Sequence, residues 1–217
     1  MFSYRHAFHA GNHADVLKHS VLIAILQHLL QKDTALTVFD THAGAGLYRL
    51  DGDYAETSGE AANGYLRLIK ALATAPVLTD AAAVSKKPST AGKTKVIAKP
   101  TLQDLAPALK EYLEMVASFN SKGSHKIYPG SPFIIQRLLG DRDKLKLFEI
   151  HPTDIKTLSA NIAQLEAGRQ VAVLREDGFE GIKNFCLLPR AARWCFVTPV
   201  TRSKTTICGS SPWSLIR

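Results

Sequence analysis

A short apolar run that ends in a carboxylate and a glycine-containing turn constrains this chain more than any other feature. Residues Leu36 to Phe39 combine aliphatic, β-branched and aromatic side chains, which favours a buried strand of a parallel sheet. Asp40 closes the run, and His42, Gly44 and Gly46 lie in the turn that follows. In open α/β sheets, ligands bind outside the carboxyl ends of the strands. The stretch therefore predicts an α/β fold with a ligand site at this turn.

The carboxylate beside the turn narrows the class of ligand. Glycines let the backbone approach a ligand closely, but Asp40 would repel a pyrophosphate. Asp40 would instead attract a sulfonium, or accept hydrogen bonds from ribose hydroxyls or an amine. S-adenosyl-L-methionine is therefore favoured over NAD and ATP, and a nicotinamide oxidoreductase is disfavoured.

Two further predicted strands also lead into acidic residues. Leu145 to Ile150 carries Glu149 near its end, where a carboxylate can accept hydrogen bonds from a ribose diol. Val171 to Leu174 is followed by Asp177, which suits an adenine amino group, and by Gly178, which brings the backbone close. Three acidic strand ends together predict one pocket for an adenosyl group.

The spacing of these acids predicts an insertion in the nucleotide-binding unit. In an uninterrupted unit the ribose-binding acid follows the glycine turn by about 20 residues, whereas Glu149 follows Asp40 by 109 residues. We expect four parts, listed here in chain order: an N-terminal substrate and cofactor segment with the first strand at 1–56, an inserted helical subdomain at 57–125 with a flexible loop at 77–100, the continuation of the sheet domain at 126–189, and an aberrant tail at 190–217.

The excess of basic residues indicates an acidic partner. The chain of 217 residues has a net charge of +8, which is typical of nucleic-acid-binding proteins but also fits a basic protein with no such partner. Near the N-terminus, Tyr4, Arg5, His6 and Lys18 offer an aromatic face and hydrogen-bond donors that suit an RNA base and phosphate. A capped N-terminal segment with satisfied polar groups is the alternative, and the residues alone leave both open.

Other classes of protein and site are disfavoured. No apolar run reaches membrane-spanning length and the N-terminus has no signal-peptide core, so we expect a cytoplasmic protein with no membrane contact. The N-terminal histidines lack the cysteines or carboxylates that would complete a metal shell. Cys186, Cys195 and Cys208 have neither metal-ligand nor disulfide spacing, so no metal site is expected.

Capping residues and periodic apolar positions predict the helices. Five are expected, listed with their starts and approximate ends: Asn12 to Lys32, a Thr57–Glu60 capping box through Leu72, Pro107 to about Asn120, a helix capped by Ser131 through Leu139, and Asp154 to Leu165.

The sequence contains five distinctive motifs, listed in chain order: Tyr4–Asn12 with Ala14–His19, Asp40–Gly46, Tyr128–Pro132, Glu149–Pro152 and Asp177–Phe179. Together they resemble the bacterial 23S ribosomal RNA adenine-N6 methyltransferase family, large subunit methyltransferase J, from Met1 to about Pro189. The resemblance implies a Rossmann-like methyltransferase fold with a helical insertion. It also implies S-adenosyl-L-methionine as cofactor and 23S ribosomal RNA as substrate.

The resemblance assigns roles to individual residues. It implies that Tyr4, His6 and Lys18 serve the RNA substrate. It implies contacts with S-adenosyl-L-methionine for the following residues: His19, His42, Ser131, Glu149, Asp177 and Gly178. Asp40 and Gly44 join this cofactor set from the reasoning on the turn.

The family's catalytic motif is missing from this sequence. That motif is an Asp-Pro-Pro-Tyr type sequence at the end of the fourth strand, where the carboxylate accepts a hydrogen bond or proton from adenine N6 and the aromatic ring stacks on the base. Phe196 to Arg202 stands in its place, and no aspartate follows Asp177. We therefore expect an inactive, C-terminally truncated chain whose sheet lacks the fourth and later strands.

A frameshift near Arg190 to Arg193 is our hypothesis for the altered tail. Val197 to Arg202 can be written in codons from which the frame one nucleotide earlier reads Asp-Pro-Ser-Tyr-Glu. Two alternatives in function stay open. One is a non-catalytic remnant that binds RNA and cofactor, and the other is a DNA adenine-N6 methyltransferase, which uses the same chemistry on a polymer without the 2′-hydroxyl.

Overall fold

The computed structural model describes residues 5–73, 105–186, 193–196 and 208–209. Its strands are β1 Thr37–Asp40, β2 Leu47–Arg49, β3 Ile127–Pro129, β4 Lys144–Phe148, β5 Val171–Leu174, β6 Arg193–Phe196 and β7 Cys208–Gly209. Its helices are α1 His13–Leu29, α2 Asp53–Ser58, α3 Glu60–Asn63, α4 Tyr65–Ala73, α5 Pro107–Ala117, α6 Ser131–Leu138, α7 Pro152–Ala163 and α8 Gly178–Cys186, with a 3-10 turn at His6–Phe8. Tyr4 and the loop expected at 77–100 lie outside the described residues.

The main sheet has five strands in the order β5-β4-β1-β6-β7. Strands β5, β4, β1 and β6 are parallel to their neighbours, and β7 runs antiparallel to β6. The predicted strands β1, β4 and β5 are therefore confirmed, and their carboxyl ends share one edge. The expectation that the fourth strand is lost is wrong, because the backbone at β6 pairs with β1 and places Phe196 opposite Asp40.

Helix α1 begins where its capping residue predicts. The Asn12 side chain accepts a hydrogen bond from the Asp15 amide, which satisfies one of the free donors of the first turn. Its inner face contributes Leu22, Ile23 and Leu26 to the core, each buried. The helix ends at Leu29, slightly earlier than expected from the apolar pattern.

The helices between β2 and β3 differ from the prediction in their first part. The Thr57–Glu60 pattern does not cap one long helix, because Thr57 lies inside α2 and its hydroxyl donates to the Asp53 carbonyl. Gly59, with φ of 62°, ends α2, and the chain continues through two further helices, α3 and α4. The Pro107 helix is confirmed as α5.

Three tyrosines join these helices to the core. Tyr65, Tyr112 and Tyr128 are each fully buried and lie on α4, α5 and β3. The ring of Tyr65 meets those of Tyr112 and Tyr128 at centroid distances of 6.3 and 5.8 Å. Helices α4 and α5 therefore pack on each other and on β3 through aromatic contacts. Among the helices that the structure describes, none combines the length and apolarity needed to cross a lipid bilayer.

Candidate functional site

Asp40, at the end of β1, holds the turn that follows through hydrogen bonds to its buried carboxylate. This carboxylate is fully buried, accepts a hydrogen bond from the Ser131 hydroxyl at 2.6 Å, and accepts a second from the His42 amide at 3.2 Å. Ser131 is the first residue of α6 and does not cap it, so the predicted capping role is wrong. The pair instead ties the start of α6 to the end of β1.

Glu149 joins the ends of β1 and β4. Its Oε2 atom accepts a hydrogen bond from the Gly44 amide at 2.8 Å, and its Oε1 atom accepts one from the His151 amide at 2.7 Å. Gly44 has φ of 60°, and a Cβ atom there would overlap the Tyr48 hydroxyl. Glycine is therefore required at Gly44, and the carboxylate is held directly against the turn.

The end of β5 also reaches this turn. Gly178 is buried, and a Cβ atom added to it would lie within 2.5 Å of Thr41 Cα. The ring of Phe179 meets that of His42 edge to face at 5.2 Å. Asp177 is exposed and precedes α8. Its Oδ1 atom accepts hydrogen bonds from the amides of Phe179 and Glu180 in the first turn of that helix.

The predicted cofactor residues other than His19 therefore form one cluster, in which some side chains line the turn and others support it. His42, Gly44, Glu149 and Gly178 meet at the carboxyl ends of adjacent strands β1, β4 and β5. Asp40 and Ser131 lie beneath them as a pair, and Asp177 caps α8 at the edge. The three acids thus stand at or just after the ends of three neighbouring strands, and each carboxylate has its own hydrogen-bond partners.

His19 lies deeper than the rest of the predicted set. Its side chain is 2% exposed, and its Nδ1 atom is hydrogen-bonded to the Tyr128 hydroxyl at 2.9 Å. The Tyr128 hydroxyl is in turn 3.1 Å from that of Tyr112. Burial, opposed only in part by the charge of Asp15, lowers the pKa of His19 to about 4. His19 is therefore neutral at pH 7.

The two described RNA candidates share one buried carboxylate. Asp15 is fully buried, with its Oδ2 atom 3.0 Å from His6 Nε2 and its Oδ1 atom 2.7 Å from Lys18 Nζ. Burial opposes the charge of Asp15, but the charge and hydrogen bond of His6, with the charge of Lys18, outweigh it and hold the pKa of Asp15 well below its usual range. The other candidate, Tyr4, is not among the described residues.

Arg5 connects the N-terminal segment to α2 and to α7. Its guanidinium donates to Asp154 of α7 at 3.1 Å and to the hydroxyl of Tyr54 of α2 at 2.7 Å, and it lies 4.7 Å from the Tyr54 ring centroid. The sequence pattern indicated neither partner, because 149 and 49 residues separate them from Arg5.

Other residues of the site carried weak signals in the sequence. Asp15 and Lys18 stand three apart on a predicted helix, a spacing at which opposite charges meet, so their contact could have been found. Tyr48 and Tyr128 carried no such pattern, because both act through contacts made in the folded chain. Within the described ranges, no group of three or more His, Cys, Asp or Glu side chains is arranged to hold a metal ion.

Replacing Ser131 with alanine tests the support beneath the turn. The change removes a hydroxyl that donates to a fully buried carboxylate, so we expect the free energy of unfolding to fall by about 2 kcal/mol. Urea unfolding measures the change. The matched control is Ser159→Ala, which removes a hydroxyl that donates to the Ile155 carbonyl within α7 and is expected to cost less than about 0.5 kcal/mol. Equal effects of the two changes would contradict the assigned role.

Comparison with known proteins relates this chain to ribosomal RNA methyltransferases. The family model described as "Ribosomal RNA large subunit methyltransferase D, RlmJ" matches residues 33–96 and 86–199. Proteins named ribosomal RNA large subunit methyltransferase J are 36% identical in Escherichia coli K12 and 34% identical in Haemophilus influenzae Rd, over 84% of this chain. The chain spans about half the length of these relatives, 53% of each.

A solved structure is similar in fold. The crystal structure of protein LPL1258 from Legionella pneumophila superposes with a TM-score of 0.65 at 25% sequence identity, over 90% of this chain and 59% of that one. Together with the family match, this likeness confirms the expected Rossmann-like methyltransferase fold. The chain belongs to the family of ribosomal RNA large subunit methyltransferases described as RlmJ.

Proposed function

We propose that this chain binds S-adenosyl-L-methionine and 23S ribosomal RNA, in a family whose reaction is methyl transfer to an adenine N6. The observation that carries the proposal is Glu149, a carboxylate fixed at the end of β4 against the Gly44 amide. A carboxylate at that place suits two ribose hydroxyls, because it accepts hydrogen bonds through several lone pairs even with two amides bound. The names of the relatives support an RNA substrate, and we propose the cytoplasm, where ribosomal RNA is made, as its location.

The surrounding residues fit an adenosyl cofactor. Gly44 and Gly178 are both buried and pack closely against Tyr48 and Thr41, so they bring the ends of β1 and β5 together beside Glu149. Asp177 at the edge would accept from the adenine amino group, and His42 would lie beside it. In this proposal Asp40, with Ser131, positions the turn from below. His19 would complete the site from the buried side of α1.

The RNA side is assigned to the N-terminal segment. Lys18 would pair with a phosphate, while Tyr4 and His6 would contact the base or its backbone. The chain's net charge of +8 supports a polyanionic partner. We further propose that the helices between residues 57 and 125 form the inserted subdomain that the resemblance implies.

The chemistry requires a group that this chain does not supply. When bound, S-adenosyl-L-methionine would supply a methyl group from its positively charged sulfur. Transfer to the adenine amino nitrogen would break the sulfur–methyl bond and leave S-adenosyl-L-homocysteine. Because the lone pair of that nitrogen is delocalised into the ring, a carboxylate must accept its hydrogen bond or proton. Strand β6 ends at Phe196, opposite Asp40, and the sequence continues with Val197 and Thr198 in place of an acid. We therefore propose binding without methyl transfer.

Calorimetry with the full chain tests cofactor binding. We expect S-adenosyl-L-methionine to bind, and Glu149→Gln to weaken it about tenfold or more, because a hydrogen bond to a charged group contributes about 1.5 to 3 kcal/mol. Glu114→Gln is the matched control, since Glu114 is an exposed residue of α5 paired with Lys110. Unaltered affinity in Glu149→Gln, with the fold intact, would remove Glu149 from the site.

A transfer assay and the gene itself test the missing acid. With 23S ribosomal RNA and labelled cofactor, the proposal expects binding with no labelled product. Correcting the reading frame near codons 190 to 193, so that the gene encodes Asp-Pro-Ser-Tyr-Glu, is expected to restore transfer. If no reading frame near codons 190 to 202 of the gene encodes that sequence, the frameshift hypothesis is wrong. Competition between RNA and DNA of the same sequence separates the RNA proposal from a DNA methyltransferase, and preference for DNA would favour the latter.

A further inference from the structure

A buried carboxylate on the first turn of α1 accepts two hydrogen bonds and forms one ion pair with groups from separate parts of the N-terminal region. Asp15 Oδ2 accepts hydrogen bonds from His6 Nε2 and from the Gly11 amide, both at 3.0 Å. Asp15 Oδ1 lies 2.7 Å from Lys18 Nζ. The 3-10 turn, the loop before α1 and the second turn of α1 are therefore connected through one side chain.

This arrangement exceeds what helix capping requires. An acid in the first turn of a helix interacts favourably with the free amides while exposed, so nothing in that role calls for burial. Burying a carboxylate costs several kcal/mol unless cations and donors surround it. Here the side chain of Asp15 is 0% exposed, while those of His6 and Lys18 are 21% and 18% exposed. The carboxylate lies inside, and its two basic partners lie between it and solvent.

The cluster adjoins the turn after β1. The ring of His6 meets the ring of Tyr48 at a centroid distance of 5.3 Å, and the Tyr48 hydroxyl accepts a hydrogen bond from the Ala45 amide at 3.1 Å. A Cβ atom built on Gly44 would be 3.8 Å from His6 Cβ. His6 is therefore held at the border between the candidate cofactor turn and solvent, and Lys18 is connected to it through Asp15.

We propose that Asp15 is a positioning residue that fixes His6 and Lys18 at the mouth of the site, oriented for an RNA substrate. The inference rests on the proposed function, which assigns His6 and Lys18 to the RNA. Asp15 itself touches no substrate, because it is fully buried. It acts by holding two flexible basic side chains in one geometry before the RNA arrives, which lowers the entropy lost on binding.

The substitution Asp15→Asn in the full chain tests this inference, because the direction of the change in RNA affinity decides between two explanations. Asparagine keeps the shape and can still accept from the Gly11 amide, but it removes a negative charge near the RNA site. Simple electrostatics expects this change to tighten binding to a polyanion. The proposal expects the opposite, namely binding to a 23S ribosomal RNA transcript at least about tenfold weaker, with a shallower dependence on salt because Lys18 makes a poorer phosphate contact.

Asp143→Asn is the matched control. Asp143 is also buried, and it accepts hydrogen bonds from the Leu36 amide at 2.7 Å and the Gly140 amide at 2.8 Å. It precedes β4 at the amino ends of the strands, which is the opposite edge of the sheet. The same change of charge there is expected to reduce stability and to leave RNA affinity within about twofold of the wild type.

The outcomes separate this inference from the proposed function. Failure of the wild-type chain to bind the transcript would overturn the proposed function and this inference with it. Wild-type binding that is equal or tighter in Asp15→Asn would overturn the inference alone and leave Asp15 a structural residue. If Asp15→Asn does not fold, Asp15→Glu replaces it, because it keeps the charge and displaces it by one methylene. Weaker RNA binding by a folded Asp15→Glu supports positioning, and unchanged binding overturns it.

Discussion

Acidification from pH 6.5 to pH 4 is expected to reduce the free energy of unfolding by about 3 kcal/mol through His19 alone. Burial lowers the pKa of this imidazole to about 4 in the folded protein, against an ordinary value of 6.5 in the unfolded chain. Between these two values the unfolded state binds a proton that the folded state does not bind. Protonation therefore favours unfolding as the pH falls through this window, and the loss is complete near pH 4.

Urea unfolding at intervals from pH 7 to pH 4 measures the effect. His19→Gln keeps a polar group for the Tyr128 hydroxyl and removes the titration, so its stability should fall less steeply over the same range. His28→Gln is the matched control, since His28 lies near the end of the same helix with its side chain exposed. A His19→Gln variant with the wild-type slope would show that another group causes the acid sensitivity.

Asp15 adds a second loss at lower pH. Its pKa in the folded protein is held well below the ordinary value of 3.8, chiefly by His6 once the opposing effect of burial is overcome. The stabilisation it provides is therefore present above about pH 4 and is lost as the pH falls further. Because this window begins where that of His19 ends, the two contributions can be separated by the pH at which each slope changes.

The sheet could be predicted from the sequence because its signals are local. Short apolar runs mark β1 and β5, and apolar residues that alternate with lysines mark β4. Each strand is followed by polar or small residues. The start of α1 is equally local, since Asn12 caps the amide of Asp15 three residues later. These elements lie within a few residues of their predicted bounds.

The breaks between α2, α3 and α4 could not be predicted in the same way. Thr57 and Glu60 fit a capping box, but the Glu60 carboxylate binds the His9 ring and the Asn12 amide group, 51 and 48 residues earlier. Such partners exist only once the N-terminal segment has packed against α3. A pattern confined to four residues cannot register that competition.

The positions of the candidate cofactor residues at the strand ends were predictable from the sequence, and the directions of their side chains were less so. The sequence indicates that Asp40 and Glu149 stand at the ends of adjacent parallel strands, and the structure confirms their places. It does not indicate which way a carboxylate at a strand end turns. Asp40 turns inward because Ser131, 91 residues later, offers a hydroxyl there, whereas Glu149 faces the Gly44 amide. Side-chain direction at the site is thus decided by long-range partners.

The contact between the ends of β1 and β5 depends on a residue without a side chain. Gly178 packs directly on Thr41, where an added Cβ atom would lie within 2.5 Å of both Thr41 Cα and Thr41 Cβ. Gly178→Ala must therefore push the start of α8 away from the turn after β1. We expect a loss of about 3 kcal/mol in the free energy of unfolding, the upper part of the range for overpacking, because the obstructing atoms include main chain and cannot rotate aside.

The same displacement should reach the candidate cofactor site. Moving α8 separates Phe179 from His42 and shifts Asp177 relative to Glu149, so the affinity for S-adenosyl-L-methionine is expected to fall at least about tenfold. Gly140→Ala is the matched control, because a Cβ atom there meets Asp143 Oδ2 at an ordinary 3.5 Å. Urea unfolding and calorimetry measure the two effects. A Gly178→Ala variant as stable as Gly140→Ala would show that α8 does not pack on the β1 turn, and the proposed adenosyl site would then lose its third strand.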